Sequence, residues 1–416
     1  MVKSAGFTRG ALAGLCLAAS AAWAGPLPQG APFRLSSCPD CRQTVPAVDG
    51  QKTSAFLTVW EGTNAAGAQS VNGRFFTPTG TPQGNDFSMA QEVTPDRYDG
   101  AVSHDKKGNF IVVWSSVDDG NSDIMAQRFQ ANGAKLGAAF QVNVDDPAAL
   151  TVPVDFNPVV APMTDGGFIV AWMNLLPDGN GTQGTTPQVL ARRFTAAGAP
   201  AGAQVKVSSG LVKGDRPAMC VDTSGRPVIV WTTVDAFRPF QSNLSGVSMR
   251  QLSAKGVPLA TETVVAPPTA QSVRPAVSCG NGSTFVVVWH SDVAPAVDHT
   301  DILGLRFSNK ARPVGAKFVV NTTTTSYQRN PAISHDASGN FVVVWQSDLG
   351  SRVGIFLRRY TNKGAPTGPD LEVASSAPTA VAPANPAVSH LGTKGNFVVV
   401  WQAGSLGGIF GERFTP

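Results

Sequence analysis

Seven tryptophans recur along the chain at Trp60, Trp114, Trp172, Trp231, Trp289, Trp345 and Trp401, spaced 54, 58, 59, 58, 56 and 56 residues apart. Self-similarity at such a period means that one supersecondary unit is repeated. A unit this small cannot bury its apolar face alone and has to stack on its neighbours. The eighth tryptophan, Trp23, falls in a segment expected to be removed from the exported chain.

The copy around Trp345 shows the content of a unit. Asn330 to His335 forms a first strand, and Asp336 to Asn340 a turn. Phe341 to Trp345 is a second strand of β-branched and aromatic residues, as expected of a strand buried on both faces. Gly354 to Tyr360 is a third strand and Leu371 to Val373 a fourth, with a Gly/Pro turn at Gly364 to Pro366 between them. The same order recurs elsewhere, as in Phe110 to Trp114 followed by Asp123 to Phe129. Four short strands per copy make one blade of a β-propeller. With 43 glycines, 31 prolines and 14% charged residues, the composition suits short strands and tight turns.

The last copy stops after Gly408 to Phe414 without a fourth strand. The segment Gly25 to Leu35 matches the missing piece, by comparison with Gly198 to Val207. The sequence therefore predicts an all-β, seven-bladed β-propeller of four-stranded antiparallel blades. It is closed by the mature N-terminal strand and spans residues 25–416 as a single domain. Closure removes an exposed edge strand, and no polar capping repeats are visible of the kind an open solenoid needs.

Residues 1–24 read as a signal peptide: basic Lys3 and Arg9, the apolar run Ala11 to Ala22, and Ala22-Trp23-Ala24 before the cleavage point. The apolar run is too short to span a bilayer, and Leu15 before Cys16 departs from a lipobox. The expected location is periplasmic or secreted. Without Lys3 and Arg9, the 32 basic residues fall to 30 against 28 acidic ones, a net charge of +2. That balance argues against nucleic acid or an anionic membrane as partner.

The copies resemble the tryptophan-containing repeats of large secreted and surface proteins of bacteria, which read roughly Gly-Asn-Phe-Val-Val-Val-Trp, an Asp/Gly loop, an Arg-Phe strand and a Gly-rich turn. The resemblance covers nearly all of the mature chain and implies architecture, with no catalytic residues to carry over. The turn Ser334-His335-Asp336 with Gly339 is similar to the Asp-box hairpin of sialidase-type propellers and is read as shared hairpin chemistry.

Repetition also sorts structural residues from functional ones. Arg74, Arg128, Arg193, Arg306, Arg359 and Arg413 each precede an aromatic in the third strand, and His104, His335 and His390 share a first-strand position. Both sets are read as structural, and the repeated tryptophan as inter-blade core. Short, uniform turns fall on one end of the ring and divergent loops on the other, so binding is expected on the divergent face.

Three candidates lie there. Asp118, Asp119, Asn121 and Asp123, with Asp298 and Asp301, offer oxygen ligands for calcium, the one cofactor considered. They also read as ordinary turn aspartates. His290, Asp292, His299 and Asp301 have ligand types suited to zinc or another transition metal. Phe237, Arg238 and Phe240 form an aromatic-basic loop tip able to grip a glycan or a peptide, or to fold back over the ring mouth.

Four cysteines remain in the mature chain, an even number in an exported protein. Cys38 and Cys41 suit a local clip. Cys220 and Cys279 belong to adjacent copies but sit one position out of phase, Cys220 matching Ser278. In strands that offset turns them to opposite faces, and opposite faces of neighbouring blades are what can meet. A Cys220–Cys279 bridge is therefore expected if those strands lie near the axis, whereas the opposite handedness points the two sulfurs apart.

No nucleophile elbow, phosphate loop or paired-carboxylate motif stands apart from the repeats. The main functional reading is an exported, monomeric binding scaffold that engages a protein or glycan ligand without evident catalysis. The alternative is a polysaccharide hydrolase or lyase with an axial active site assembled from several blades. An axial pocket holding a close carboxylate pair with a displaced pKa marks the enzyme, and a flat face marks the binder.

Overall fold

The computed structural model describes residues 27–38, 42–51, 53, 55–63, 69–89, 96–118, 121–144, 154–176, 186–209, 212, 216–234, 244–259, 261–292, 299–376, 382–403 and 408–416. These contain strands and no helix, so no helix is long and apolar enough to cross a membrane. The strands group into seven four-stranded antiparallel units spanning 43–88, 96–141, 154–206, 218–270, 272–319, 327–376 and 384–414, called units 1 to 7. Unit 7 takes its fourth strand from Phe33–Arg34, where Phe33 pairs with Gly411 and Arg34 with Phe410. Bonds from Gln29 N to Arg413 O (2.7 Å) and Leu35 N to Ile409 O (2.8 Å) extend that seam.

Within a unit the order follows from local chemistry. In unit 6, Asp336 Oδ1 accepts from the backbone N–H of Ser338 (2.8 Å) and Asn340 (2.9 Å), which caps the turn from first to second strand. Gly339 supplies its positive φ of 81°. Phe341 to Trp345 is buried at every residue. Phe341 stacks on Tyr360 of the third strand with centroids 4.8 Å apart, and Phe56/Phe76, Phe168/Phe194, Phe285/Phe307 and Phe397/Phe414 repeat the pair.

The tryptophans build the junctions between units. Trp114 packs with Leu57, Val59 and Val71 of unit 1, and Trp172 with Ile111 and Val113 of unit 2. Trp60 packs with Leu391, Val398 and Val400, which joins unit 1 to unit 7. The third-strand arginines serve the turns: Arg306 donates to Lys363 O (2.7 Å) and Asn362 O (2.9 Å), and Arg128 to Ala197 O, in each case on the next unit. Arg193 pairs with Asp165 and Arg413 with Gln29.

The disulfide Cys220–Cys279 is present, with Cα atoms 5.6 Å apart. Cys38 is disulfide-bonded, while Cys41 lies outside the described residues. The Cys220–Cys279 geometry is general. At the turn end of the first strands, each unit's residue meets the residue one step later in the next unit. Asp49 Oδ2 lies 2.6 Å from His104 Nδ1, Ser334 Oγ 3.0 Å from His390 Nδ1, and Ser389 Oγ accepts from Gly50 N at 3.0 Å. A covalent bond stands at one junction where hydrogen bonds stand at others. Burial pushes His335 down to about 3 and His390 down to about 4, so both are neutral junction residues.

Glu412, on the third strand of unit 7, is 6% exposed, and burial pushes its pKa up from 4.5 to about 7. A carboxyl raised in the folded state contributes stability below its unfolded pKa and loses it as pH rises through the folded value. Stability is therefore expected to fall by about 3 kcal/mol between pH 4.5 and 8 on account of this group. Glu412→Gln should remove that slope in urea titrations across this window. An unchanged slope would mean that Glu412 ionises freely.

Candidate active site

Six first strands carry the same irregularity. The pairing register slips between Thr44 and Ala47, Tyr98 and Ala101, Phe156 and Val159, Val273 and Ala276, Arg329 and Ala332, and Ala384 and Ala387. Inside each bulge one non-glycine residue has a positive φ: Val45, Asp99, Asn157, Arg274, Asn330 and Asn385, between 48° and 57°. All but Asp99 precede a proline, a context that already disfavours α conformations. A left-handed non-glycine residue costs about 1–3 kcal/mol and persists where the surroundings over-determine it. Unit 4, whose first strand is cut to Ala218–Val221, carries Arg216 at the corresponding place.

These seven residues converge on one cavity of about 630 Å³, lined by the bulge segments of all the units. It is the axial cavity around which the repeats are arranged, nearer the end of the divergent loops. A groove of about 690 Å³ lies on the other end between the turns of units 2 and 3, including Asp105, Lys106, Arg128 and Asp165. There, Lys106 and Arg128 are already bonded to the carbonyls of Thr164 and Ala197. The axial cavity is the better candidate because residues from every unit meet there.

A hydrogen-bonded necklace surrounds it. At two junctions the residue after the tryptophan reaches the bulge of the next unit: Gln402 Oε1 accepts from Val45 N (3.3 Å), and Glu61 Oε1 from Asp99 N (2.8 Å). Asn330 Nδ2 donates to Gln346 Oε1 (3.2 Å) and to Asn385 Oδ1 (3.3 Å), and Asn385 Nδ2 to Gln402 Oε1 (3.1 Å). Arg274 donates to Asn330 Oδ1 at 2.8 Å. Asp99 Oδ2 accepts from Ser115 Oγ (3.2 Å) and Asn157 N (3.2 Å). Its Oδ1 lies 3.4 Å from Arg216 of unit 4, an ion pair that passes over unit 3.

The symmetry of the scaffold makes its exceptions readable. Gln402 performs the bridging role with a neutral amide, so a carboxylate at Glu61 is not required for the bridge. Burial raises the Glu61 pKa above its usual 4.5, and the negative charge of Asp99 raises it further against the opposing Arg216 charge. A carboxyl with displaced proton affinity, coupled to a second carboxyl beside a cavity, suits proton transfer.

The residues singled out in the sequence fare differently. Phe237, Arg238, Phe240, Asp119 and Asp298 lie outside the described residues. Asp118 and Asn121 pair in register across the hairpin. Asp123 accepts from Gln141 Nε2 and Asn143 Nδ2, both at 2.9 Å, and buried Asp301 accepts from Asn321 Nδ2 at 2.7 Å. The last two aspartates occupy equivalent positions, and each is tied to the asparagine that follows its fourth strand. His290 stands at the position of Glu61 in unit 5, pairing with Val273 and Ile302. Asp292 pairs with Thr300, next to half-buried His299. Among the described residues no group of three or more His, Cys, Asp or Glu converges to hold a metal. Sequence reading missed Glu61, Asp99, Arg216 and Arg274. The available signal was charge where other copies are neutral, Glu61 at the position of Gln346 and Gln402, and Asp99, Arg216 and Arg274 at the position of Asn157, Asn330 and Asn385.

Fold and site together define a β-propeller with a polar axial cavity. No protein-family model matches the chain, and no curated protein sequence does. Among solved structures it is similar to a protein of unknown function from Dyadobacter fermentans DSM 18053, at 11% identity over 94% of this chain and 99% of that one, with a TM-score of 0.57. It is also similar to an ulvan lyase of the polysaccharide lyase family PL25, at 8% identity over 91% and 95% of the two chains, TM-score 0.58. The same type of lyase bound to -[GlcA(1-4)Rha3S]- matches at 9% identity over 92% of each chain, TM-score 0.56. At such identities the likeness is one of fold.

The expectation of a binding scaffold without catalysis is corrected by these observations. The axis holds a polar cavity lined by Asp99, Arg216 and Arg274, where a binder would present a flat face, and the solved structures of this fold include polysaccharide lyases.

Proposed function

We propose that the protein is a polysaccharide-cleaving enzyme whose active site is the axial cavity, with Glu61 and Asp99 as the proton-transfer pair. The observation that carries this reading is the Glu61 carboxyl, held at 2.8 Å by the backbone N–H of Asp99 and raised in pKa where the preceding unit of the ring uses Gln402. Cleavage of a glycosidic bond needs one group to take a proton and one to return it to the leaving oxygen. A carboxyl raised above the ordinary range holds its proton more tightly and is the stronger base once ionised. Polysaccharide lyases of the same fold support carbohydrate as the substrate.

The same reading treats residues 25–416 as one ring of seven blades akin to the tryptophan-containing bacterial repeats, exported after loss of residues 1–24. The disulfide fits an oxidising compartment. The test is incubation of the purified protein with neutral and acidic polysaccharides, followed by size-exclusion chromatography. Shortening of at least one polymer is expected. If every polymer keeps its length across the neutral pH range, the enzymatic reading fails.

A further inference from the structure

Among the seven bulge positions, Arg216 and Arg274 are the cationic ones, and they belong to consecutive units. Their wall faces units 1 and 2, which carry Glu61 and Asp99. Arg216 is partly committed, since its guanidinium lies 3.4 Å from Asp99. Arg274 is exposed, and its side-chain bond runs to a neutral amide oxygen, Asn330 Oδ1. Two guanidinium groups therefore line the cavity with one lining carboxylate, Asp99, which pairs with Arg216, and Arg274 has no ion-pair partner among the described residues.

A guanidinium presents five N–H donors in a planar fork that matches an acid group with two parallel bonds. In a partly enclosed cavity its field is screened less than on an open surface. A neutral sugar would leave that charge uncompensated, while an acidic sugar neutralises it. We propose that the axial site takes an acidic polysaccharide, whose carboxylate or sulfate group is received by Arg274 together with Arg216. This inference rests on the polysaccharide-cleaving reading above and names its substrate class.

The arrangement couples binding to chemistry. Asp99 and Arg216 act on Glu61 in opposite directions, Asp99 favouring its protonated form and Arg216 its ionised form. An acid group seated on Arg216 cancels the guanidinium field, and the Asp99 charge then makes Glu61 a stronger base. With a uronate, the same arginines stabilise negative charge at the carboxylate as the neighbouring ring carbon loses its proton. Glu61 takes that proton, the bond from the next carbon to the glycosidic oxygen breaks, and a carbon–carbon double bond forms. The leaving oxygen takes a proton from the Glu61 carboxyl or from water, so no oxidant or other co-reactant is needed.

The test uses the full exported chain and its Arg274→Ala and Arg274→Lys variants in affinity electrophoresis. The gels contain polygalacturonate (carboxylate alone), a carrageenan (sulfate alone) or neutral dextran. Retardation is expected with one or both acidic polymers, and which one identifies the acid group. Arg274→Ala should weaken it at least about tenfold, as expected for loss of a charge-assisted bond, with Arg274→Lys recovering part. Retardation should fade with added salt. The melting temperature should stay unchanged in both variants because Arg274 is exposed, so a binding defect reads out the site and not the fold.

Retardation by dextran alone, retardation that ignores Arg274→Ala, or none in any gel overturns the acidic-substrate inference. The enzymatic reading is scored separately by chain shortening. Cleavage of a neutral polymer leaves that reading standing while this one falls. Tight, Arg274-dependent retention of an acidic polymer that is never shortened upholds the anion site and removes the enzyme.

Discussion

Glu61→Gln is expected to lower the rate of polysaccharide cleavage by about 10²–10⁴-fold, the usual worth of a positioned acid or base. The substitution is the one the protein itself makes at Gln402, whose amide oxygen accepts the same kind of bond from Val45 N. The bond from Asp99 N to the Glu61 side chain therefore survives, and the necklace around the cavity keeps its link. Folding should not suffer. The wild-type carboxyl resists ionisation in the folded state, so a neutral amide removes a penalty, and the variant should be at least as stable at neutral pH. In the wild type, activity should fall as pH drops through the raised Glu61 value, on the high side of 4.5. Chain-shortening rates measured against pH, with melting curves of both proteins, check this. Full activity in a folded Glu61→Gln protein would remove Glu61 from the chemistry.

Loss of the Cys220–Cys279 bridge is expected to lower stability by about 3–4 kcal/mol, because the bond closes a loop with a sequence separation of 59 residues. Its position adds to the effect. Unit 4 has a first strand of four residues where units 2, 3 and 6 have nine, so its junction has a shorter ladder. At the equivalent junctions, Asp49–His104 and Ser334–His390 are held by hydrogen bonds. Breaking the bridge leaves two thiols at a buried junction with no comparable polar bond in its place. Urea midpoints of the Cys220→Ser/Cys279→Ser protein, and of the native protein with and without reductant, measure the loss. A midpoint indifferent to both would show that packing alone holds units 4 and 5 together.

Much of the fold was legible because each rule that produces it is local and repeated. The tryptophan period, the apolar runs such as Phe341 to Trp345 and the Asp/Gly turns are each written in a few adjacent residues. The resemblance of Gly25 to Leu35 to an ordinary fourth-strand segment pointed to the pairing of Phe33–Arg34 with the last unit. The one-residue offset of Cys220 and Cys279 foretold their meeting because strand side chains alternate. The site was less legible. The bulges place left-handed residues before prolines, against the preference of that dipeptide, so Val45 or Asn330 reads locally as plain strand. Attention went to loop acids such as Asp123 and Asp301, which the structure ties to Asn143 and Asn321.

By itself, the sequence determined the repeated unit, its strand order and which side chains form the junctions, because these depend on alternation and turn chemistry within each copy. Only the tertiary structure decided where function collects. Glu61, Asp99, Arg216 and Arg274 are far apart along the chain and share no local motif. Asp99, Arg216 and Arg274 come together because every unit turns its first strand toward the axis, so that departures from the repeat meet at a single cavity, and Glu61 joins them from a second strand through its bond to Asp99 N. The proton affinity of Glu61 is likewise set by burial and by charges from units 2 and 4, neither of which its own neighbours in sequence supply.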